Sequence, residues 1–366
     1  MKNKLEGIGW FTYETLKRIT TQHPEHNFIF AFDRKHSPEF IFSDNIIPVE
    51  IAPQTRHPLL YKIWFNFSIP RALRKYKADL FLSPDGCLPF SIDIPCVDVI
   101  HDINFEHYPK DLPHNYSVYY RKHFPQFARK ASRLATVSEY SKQDIVSTYN
   151  IFPDKIDVVF NGVNEAYKPI SAKEQRATKK KYTSGQDYFL FVSALHPRKN
   201  VANLFRAFAS LKDQQPSNTK LLIVGNKKWW NEDIESAYQQ AQCKDDIIFT
   251  GRLEPLELTN VMASALALTY VSYFEGFGIP IIEAFACHTP VITSNVTSMP
   301  EVAGDAALLT DPFSPESICD AMIRISSDED LKNSLIKKGI DRLQEFSWQK
   351  SADLLWNCVS KVIDHS

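Results

Sequence analysis

No apolar run in these 366 residues is long enough to cross a bilayer, and Met1-Lys2-Asn3-Lys4-Leu5-Glu6 lacks the layout of a signal peptide. Neither a membrane-spanning helix nor an export leader is expected. Cys-x-x-Cys pairs are also missing: Cys87, Cys96, Cys243, Cys287, Cys319 and Cys358 are scattered along the chain. That spacing argues against a zinc site and against a disulfide framework, and it points to a reducing, cytoplasmic setting. Net charge is nearly absent, −1 from 42 basic and 43 acidic residues. Such a chain has no global field to steer it to nucleic acid, and no continuous basic-aromatic face to bind one. Internal repeats and low-complexity tracts are absent too. What remains is an ordinary globular composition, 44% apolar and 23% charged. The aromatic share of 13% is high, and most of it is expected in the core.

The length suggests two domains, at roughly 150 residues each. Short apolar runs alternate with helical patterns in both halves. Strands are expected at 27–32, 80–83, 96–100 and 133–137, then at 188–192, 220–224, 246–249, 265–271 and 290–293. Strands alternating with helices mean βαβ units and parallel sheets, so the fold class is α/β. The division falls near 161–185, where Pro169 and a charged run at 176–181 separate the two series. The expected domains are 1–165 and 166–345. A last amphipathic helix covers 346–366, with Ser347 at its start.

Three stretches carry chemistry. Glu275-Gly276-Phe277-Gly278-Ile279-Pro280-Ile281-Ile282-Glu283 follows the buried run 265–271. It reads as strand, glycine turn and helix, with Pro280 in the first helical turn. Glycines admit unusual backbone angles and close approach of a ligand, and a helix N-terminus favours an anion, typically phosphate. Glu275 on the turn can reach a sugar-like group. Glu283, about one helical turn in, can accept from a diol such as ribose. A phosphate cradle with an acceptor on either side suits a nucleotide-sugar. The second stretch, Pro197-Arg198-Lys199-Asn200, follows the first strand of the second half, where Arg198 and Lys199 could neutralise a diphosphate. His101-Asp102 is the third; it follows the strand at 97–100, where an imidazole can bond a sugar hydroxyl. Each stretch alone has a plainer reading: an ordinary βα turn, a solvated loop, a structural histidine. Ser138-Glu139-Tyr140-Ser141 reads as a helix cap.

Taken in order along the chain, these residues resemble the family-4 retaining glycosyltransferases, two-domain enzymes of the GT-B type. The resemblance rests on the Glu-x7-Glu stretch, on Phe249-Thr250-Gly251, on 286–295 and on 299–307, and it covers almost the whole chain. It implies two doubly wound, Rossmann-like domains facing a cleft, with the last helix returning to the first domain. For the site it implies catalytic roles for His101, Glu275, Lys199 and Arg198. Donor contacts would come from Gly7, Gly9, Gly225, Gly251, Arg252, Gly276, Phe277, Gly278, Ile279 and Glu283, and Asp102 would serve on the acceptor side. Lys199 is the secure match, because many members carry Gly-Arg earlier in the loop and this chain has Ser193-Ala194. Neither a metal nor a cofactor is expected. The implied donor is GDP-mannose first and a UDP-sugar second. The acceptor would be a glycan or lipid-linked saccharide of bacterial surface-polysaccharide assembly, with retention at the anomeric carbon.

Two features do not fit smoothly. Members usually open with a strand before the glycine loop; here Gly7-Ile8-Gly9 comes almost at once and 9–16 already reads as a helix. The expectation is a truncated start, since a sheet missing a central strand exposes two unpaired edges. The stretch 61–77 mixes aromatics and bases, as a segment lying on an anionic bilayer would. A helix packing its aromatics inward is the preferred alternative. A non-catalytic sugar-nucleotide binder and, less favoured, a glycoside hydrolase stand as competing functions.

Overall fold

The computed structural model describes residues 5–55 and 58–364, so the residues at the very start lie outside it. The chain divides into two compact units, Met1–Gly162 with Trp348–Ser366, and Val163–Ser347.

The first unit opens with helix α1 (Gly7–Gln22). Its apolar side, Phe11, Thr15 and Ile19, repeats every four residues and is buried. That periodicity carries the helix back through its first turn, where Trp10 N–H donates to Glu6 O at 2.9 Å. Gly7 and Gly9 are therefore helical, and the glycine loop expected there is not formed. Strands β1 (Phe28–Phe32) and β2 (Ile46–Glu50) pair in parallel as one sheet. A second parallel sheet follows the order β3 (Phe81–Ser83), β4 (Cys96–Val99), β5 (Arg133–Thr136), β6 (Ile156–Val158). Among the described residues no strand joins the two sheets.

Between β2 and β3, helices Pro58–Ile63 and Ile69–Tyr76 flank Trp64–Ser68. Trp64 and Phe65 are buried, and the Trp64 indole donates to Ile51 O at 2.8 Å. Most aromatics of this stretch thus serve the core, while Phe67 is 70% exposed. Ser138 caps the helix Glu139–Tyr149 by accepting from Ser141 N–H at 3.0 Å. The last helix, Trp348–Ile363, belongs to this unit. Trp356 stacks on His23 at 3.9 Å between centroids, and Lys361 pairs with Asp157 at 2.7 Å.

Asp98 sits in the middle of β4, fully buried. Burial pushes its carboxyl well above the usual range, and the nearby Asp85 adds to this. An acid with a raised folded pKa contributes its full stability below the unfolded pKa and loses it as pH rises through the folded value. Asp98→Asn removes the ionisable group at almost constant volume. It should leave stability at pH 4 nearly unchanged and raise it at pH 8 by about 1–3 kcal/mol. Urea unfolding at the two pH values checks this; an equal difference at both would refute it.

The second unit is a single six-stranded parallel sheet. Its strands are β7 (Tyr188–Val192), β8 (Lys220–Val224), β9 (Ile247–Gly251), β10 (Ala267–Tyr270), β11 (Val291–Ser294) and β12 (Leu308–Thr310). The spatial order is β12-β11-β10-β7-β8-β9. β7, β8 and β10 are nearly continuous apolar runs because both faces are covered by helices. The chain proceeds outward from β7 to β9 and then returns to the other side of β7. The order therefore reverses between β7 and β10, and in open α/β sheets ligands bind beyond the carboxyl ends of the strands at such a point.

Candidate active site

The loop leaving β7 carries Arg198 and Lys199 in a short turn, Pro197–Lys199. His196 starts that turn, its Nδ1 accepting from Arg198 N–H at 3.4 Å. Asn200 closes it in a left-handed conformation, φ 62°. The Asn200 side-chain amide donates to Val271 O at 2.9 Å and Pro312 O at 2.6 Å, which ties this loop to those leaving β10 and β12. The loop leaving β10 carries Glu275. Ser298 Oγ donates to Glu275 O at 2.9 Å and to Phe277 O at 3.1 Å, pinning the turn from below. Gly278, at φ 100°, begins helix Ile279–Ala286 with Pro280 in its first turn. An added Cβ there would be strained and would press on the Ile281 side chain at 3.1 Å.

At the point of reversal these two loops meet. Arg198 donates to Glu275 Oε2 at 2.5 Å and to Phe274 O at 3.0 Å. Lys199 Nζ donates to Glu275 Oε1 at 2.5 Å and to the Tyr270 hydroxyl at 2.8 Å. The Tyr270 hydroxyl in turn donates to Glu275 Oε1 at 2.9 Å. Glu275 and Lys199 are buried, 5% and 8% exposed. Burial pushes the Glu275 carboxyl up, but the charges of Arg198 and Lys199 outweigh it and hold it at about 2. Glu275 is thus a carboxylate at every physiological pH. Glu283 is the fifth residue of the helix, and burial pushes its carboxyl up to about 7.

Gly225 leaves β8 at φ 148°, and its N–H donates to Gly251 O at 3.0 Å. Its backbone lies so close to Ser193 that no side chain fits between them. Gly251, at φ 70°, ends β9, and Arg252 follows it, exposed. Ser193, Gly225 and Gly251 therefore share one rim of the sheet, at the carboxyl ends of β7, β8 and β9.

His101 and Asp102 lie in the first unit, just past β4. His101 Nε2 is 3.0 Å from Pro84 O, and the Phe11 ring meets the imidazole edge-on at 4.9 Å. A carbonyl only accepts, so Nε2 carries the proton and Nδ1 the lone pair. Burial lowers the His101 pKa, which keeps the ring neutral. Asp102 accepts from Asn104 N–H at 3.0 Å and so closes the turn that follows.

The structure brings Arg198, Lys199 and Glu275 together, gathers Gly225 and Gly251 on one rim, and places Gly276, Phe277, Gly278, Ile279 and Glu283 on the adjoining turn and helix. Gly7 and Gly9 stay within α1. Sequence reasoning missed Tyr270, Ser298 and the tying role of Asn200. Tyr270 was hidden because it ends an apolar run and reads as core.

A loop with paired cations thus meets a buried carboxylate at the switch point of a Rossmann-like unit. Comparison with known proteins gives the family. Residues 5–167 match the model of glycosyltransferase family 4, and residues 172–342 match glycosyl transferases group 1. The chain belongs to this family of glycosyltransferases. O-antigen chain mannosyltransferase B of Escherichia coli is 28% identical over all of this chain and 96% of its own length. O-antigen chain mannosyltransferase RfbU of Salmonella typhimurium is 32% identical over 60% of this chain and 57% of its own. Among solved structures, HepE of Anabaena, in complex with UDP-glucose, superposes with a TM-score of 0.75 at 17% identity, covering 98% of this chain and 97% of that one. WaaG, a glycosyltransferase involved in lipopolysaccharide biosynthesis, gives 0.72 at 17%, covering 94% and 95%. The fold is GT-B, with parallel sheets in two Rossmann-like domains.

Proposed function

We propose that this protein transfers a hexose, mannose first, from a nucleoside diphosphate sugar to a glycan or lipid-linked acceptor in surface-polysaccharide assembly, with retention at the anomeric carbon. The observation that carries this reading is the Arg198–Glu275–Lys199 cluster at the β7/β10 reversal. Departure of the nucleotide builds negative charge on its β-phosphate. Lys199, Arg198 and the N-terminus of helix Ile279–Ala286 stabilise that charge. Glu275 holds hydroxyls of the transferred sugar as its anomeric carbon becomes oxocarbenium-like. Glu283 holds the ribose diol and does so best once ionised, above about pH 7. Gly225, Gly251 and Arg252 line the rim toward the base. The contact of His101 with the transferred sugar is part of the same proposal. The acceptor enters on the leaving-group face, and the departing phosphate takes its proton.

GDP-mannose is the first choice of donor and a UDP-sugar the second. The mannosyltransferase relatives support the first, and the UDP-glucose complex of HepE supports the second. With Arg198 and Lys199 assigned to the diphosphate, the reaction is proposed to be metal-independent. Among the described residues no helix is long and apolar enough to cross a membrane. A cytoplasmic protein working at the inner face of the plasma membrane is part of this reading, with the exposed Phe67 as a contact.

A thermal-shift panel of GDP, UDP, ADP, GDP-mannose and UDP-sugars, with and without EDTA, tests the donor. The expected result is selective stabilisation by one nucleotide, unchanged by EDTA, reaching about 2.7 kcal/mol at 100-fold excess over Kd. No shift with any nucleotide would overturn the proposal. A shift abolished by EDTA would overturn its metal independence.

A further inference from the structure

We propose that Tyr270 is a positioning residue for transfer: its hydroxyl, set between Lys199 and Glu275, keeps the Glu275 carboxylate aimed while the two cations turn to the donor diphosphate. This rests on the donor reading above and deepens it.

The direction of each bond at Tyr270 is fixed by chemistry. An ammonium only donates and a carboxylate only accepts, so the hydroxyl accepts from Lys199 at 2.8 Å and donates to Glu275 at 2.9 Å. The ring cannot drift. Tyr270 ends the central strand β10 and is 2% exposed. Its carbonyl accepts from Thr293 Oγ1 at 2.8 Å, and its ring edge lies under the glycine turn, 3.7 Å from where a Gly278 Cβ would stand. Arg198 and Lys199, by contrast, are long side chains reaching from a loop.

In the structure these cations bond the two oxygens of Glu275, one each. Glu275 thus occupies the partners that a diphosphate would claim, and the ligand-free site is neutralised from within. A diphosphate carries more negative charge than one carboxylate and competes for both cations. Once they turn, Oε2 of Glu275 loses its Arg198 bond and is released to accept a sugar hydroxyl. Oε1 loses Lys199 and keeps Tyr270. The phenol is anchored in the sheet and neutral, so it has no reason to follow the phosphate. Without it, Glu275 would lose its sheet-anchored phenol partner at the moment its direction decides how the sugar sits. A carboxylate misaimed by even a fraction of an ångström forfeits much of the benefit of orientation.

The test uses two conservative variants with opposite expectations. Tyr270→Phe keeps the ring and removes only the hydroxyl. Its kcat should fall about ten-fold, the worth of one hydrogen bond to a charged group. Calorimetric affinity for GDP or UDP, whichever the wild type binds, should stay within about two-fold, while the corresponding sugar nucleotide loses its advantage over the bare diphosphate. Lys199→Met leaves the Tyr270–Glu275 bond in place and should show the reverse, with affinity for the bare diphosphate falling by about ten-fold or more. A Tyr270→Phe enzyme with unchanged kcat and unchanged sugar discrimination overturns the proposal. So does a variant that loses diphosphate and sugar nucleotide alike, since that is the mark of a structural role. A wild type that binds no nucleotide overturns the donor reading itself, and this inference with it.

Discussion

Glu275→Gln should lower transfer by about 10²–10³-fold and loosen the fold at the same time. The first effect is the loss of a preorganised charged acceptor at the proposed position of the reacting sugar. The second is less usual, because active sites commonly gain stability when a charge is removed. Here the carboxylate is the counter-charge for two cations, one of them only 8% exposed. Removing one partner of a buried ion pair strands the other, at a cost of about 3–5 kcal/mol. An amide still accepts one hydrogen bond, so the lower end, about 3 kcal/mol, is expected for Gln. The deficit is one of charge, and a nucleoside diphosphate brings charge to the same place. GDP or UDP, whichever binds, should therefore raise the Tm of the variant by more than it raises that of the wild type, even though the variant scarcely turns over. Parallel unfolding curves with and without nucleotide check both halves. A variant as stable as wild type, with the same ligand-induced shift, would show that Glu275 is not the counter-charge.

The part of this site legible in the sequence is the part written as local pattern. Arg198, Lys199, Gly278, Pro280 and Glu283 stand where strand-turn-helix logic places them, because a buried strand, a turn glycine and a helical Pro each have their own signature. The convergence of Arg198 and Lys199 on Glu275, 76 or 77 positions away, is a consequence of β7 and β10 being neighbours, and only the strand order tells it. Tyr270 shows the limit most plainly. An aromatic at the end of Ala267-Leu268-Thr269-Tyr270 is the commonest kind of core residue, and its hydroxyl acquires a role only when Lys199 arrives from another loop. The same limit acts on the strands. β2, β6 and β12 were not foreseen, and all three are sheet edges. β2 contains Pro48 and exposes most of its side chains, while β6 and β12 are three residues each. Edge strands need neither a continuous apolar run nor a full set of backbone donors, and these three lack the apolar run that marked the others. Gly7 and Gly9 erred the other way: a glycine pair was given a loop's role, and the four-residue repeat of Phe11, Thr15 and Ile19 drew it into a helix.

Gly225→Ala should severely damage the second unit. Gly225 was expected to let a nucleotide approach; the structure shows that it first lets the protein approach itself. A Cβ at this position would stand 1.8 Å from Ser193 O and 2.6 Å from its carbonyl carbon. Both are backbone atoms, so no rotamer change relieves the clash, and φ 148° is closed to alanine in any case. Relief requires the ends of β7 and β8 to part. They are paired in register along their whole length, and the pairing continues past them through Ser193 N–H to Val224 O at 3.0 Å and Leu195 N–H to Asn226 O at 3.1 Å. Breaking these bonds moves the loop that carries Arg198 and Lys199, so stability and donor binding should fail together. Strain and lost hydrogen bonds combine to about 4 kcal/mol or more. Gly251→Ala is the control. It also has a positive φ, 70°, but no atom lies within 4 Å of the added Cβ. Only the left-handed backbone cost of about 1–2 kcal/mol should appear there. Denaturant unfolding of the two variants, with nucleotide binding measured on each, separates close approach from mere conformation. Equal losses would mean that positive φ alone, and not contact with Ser193, accounts for the glycine at 225.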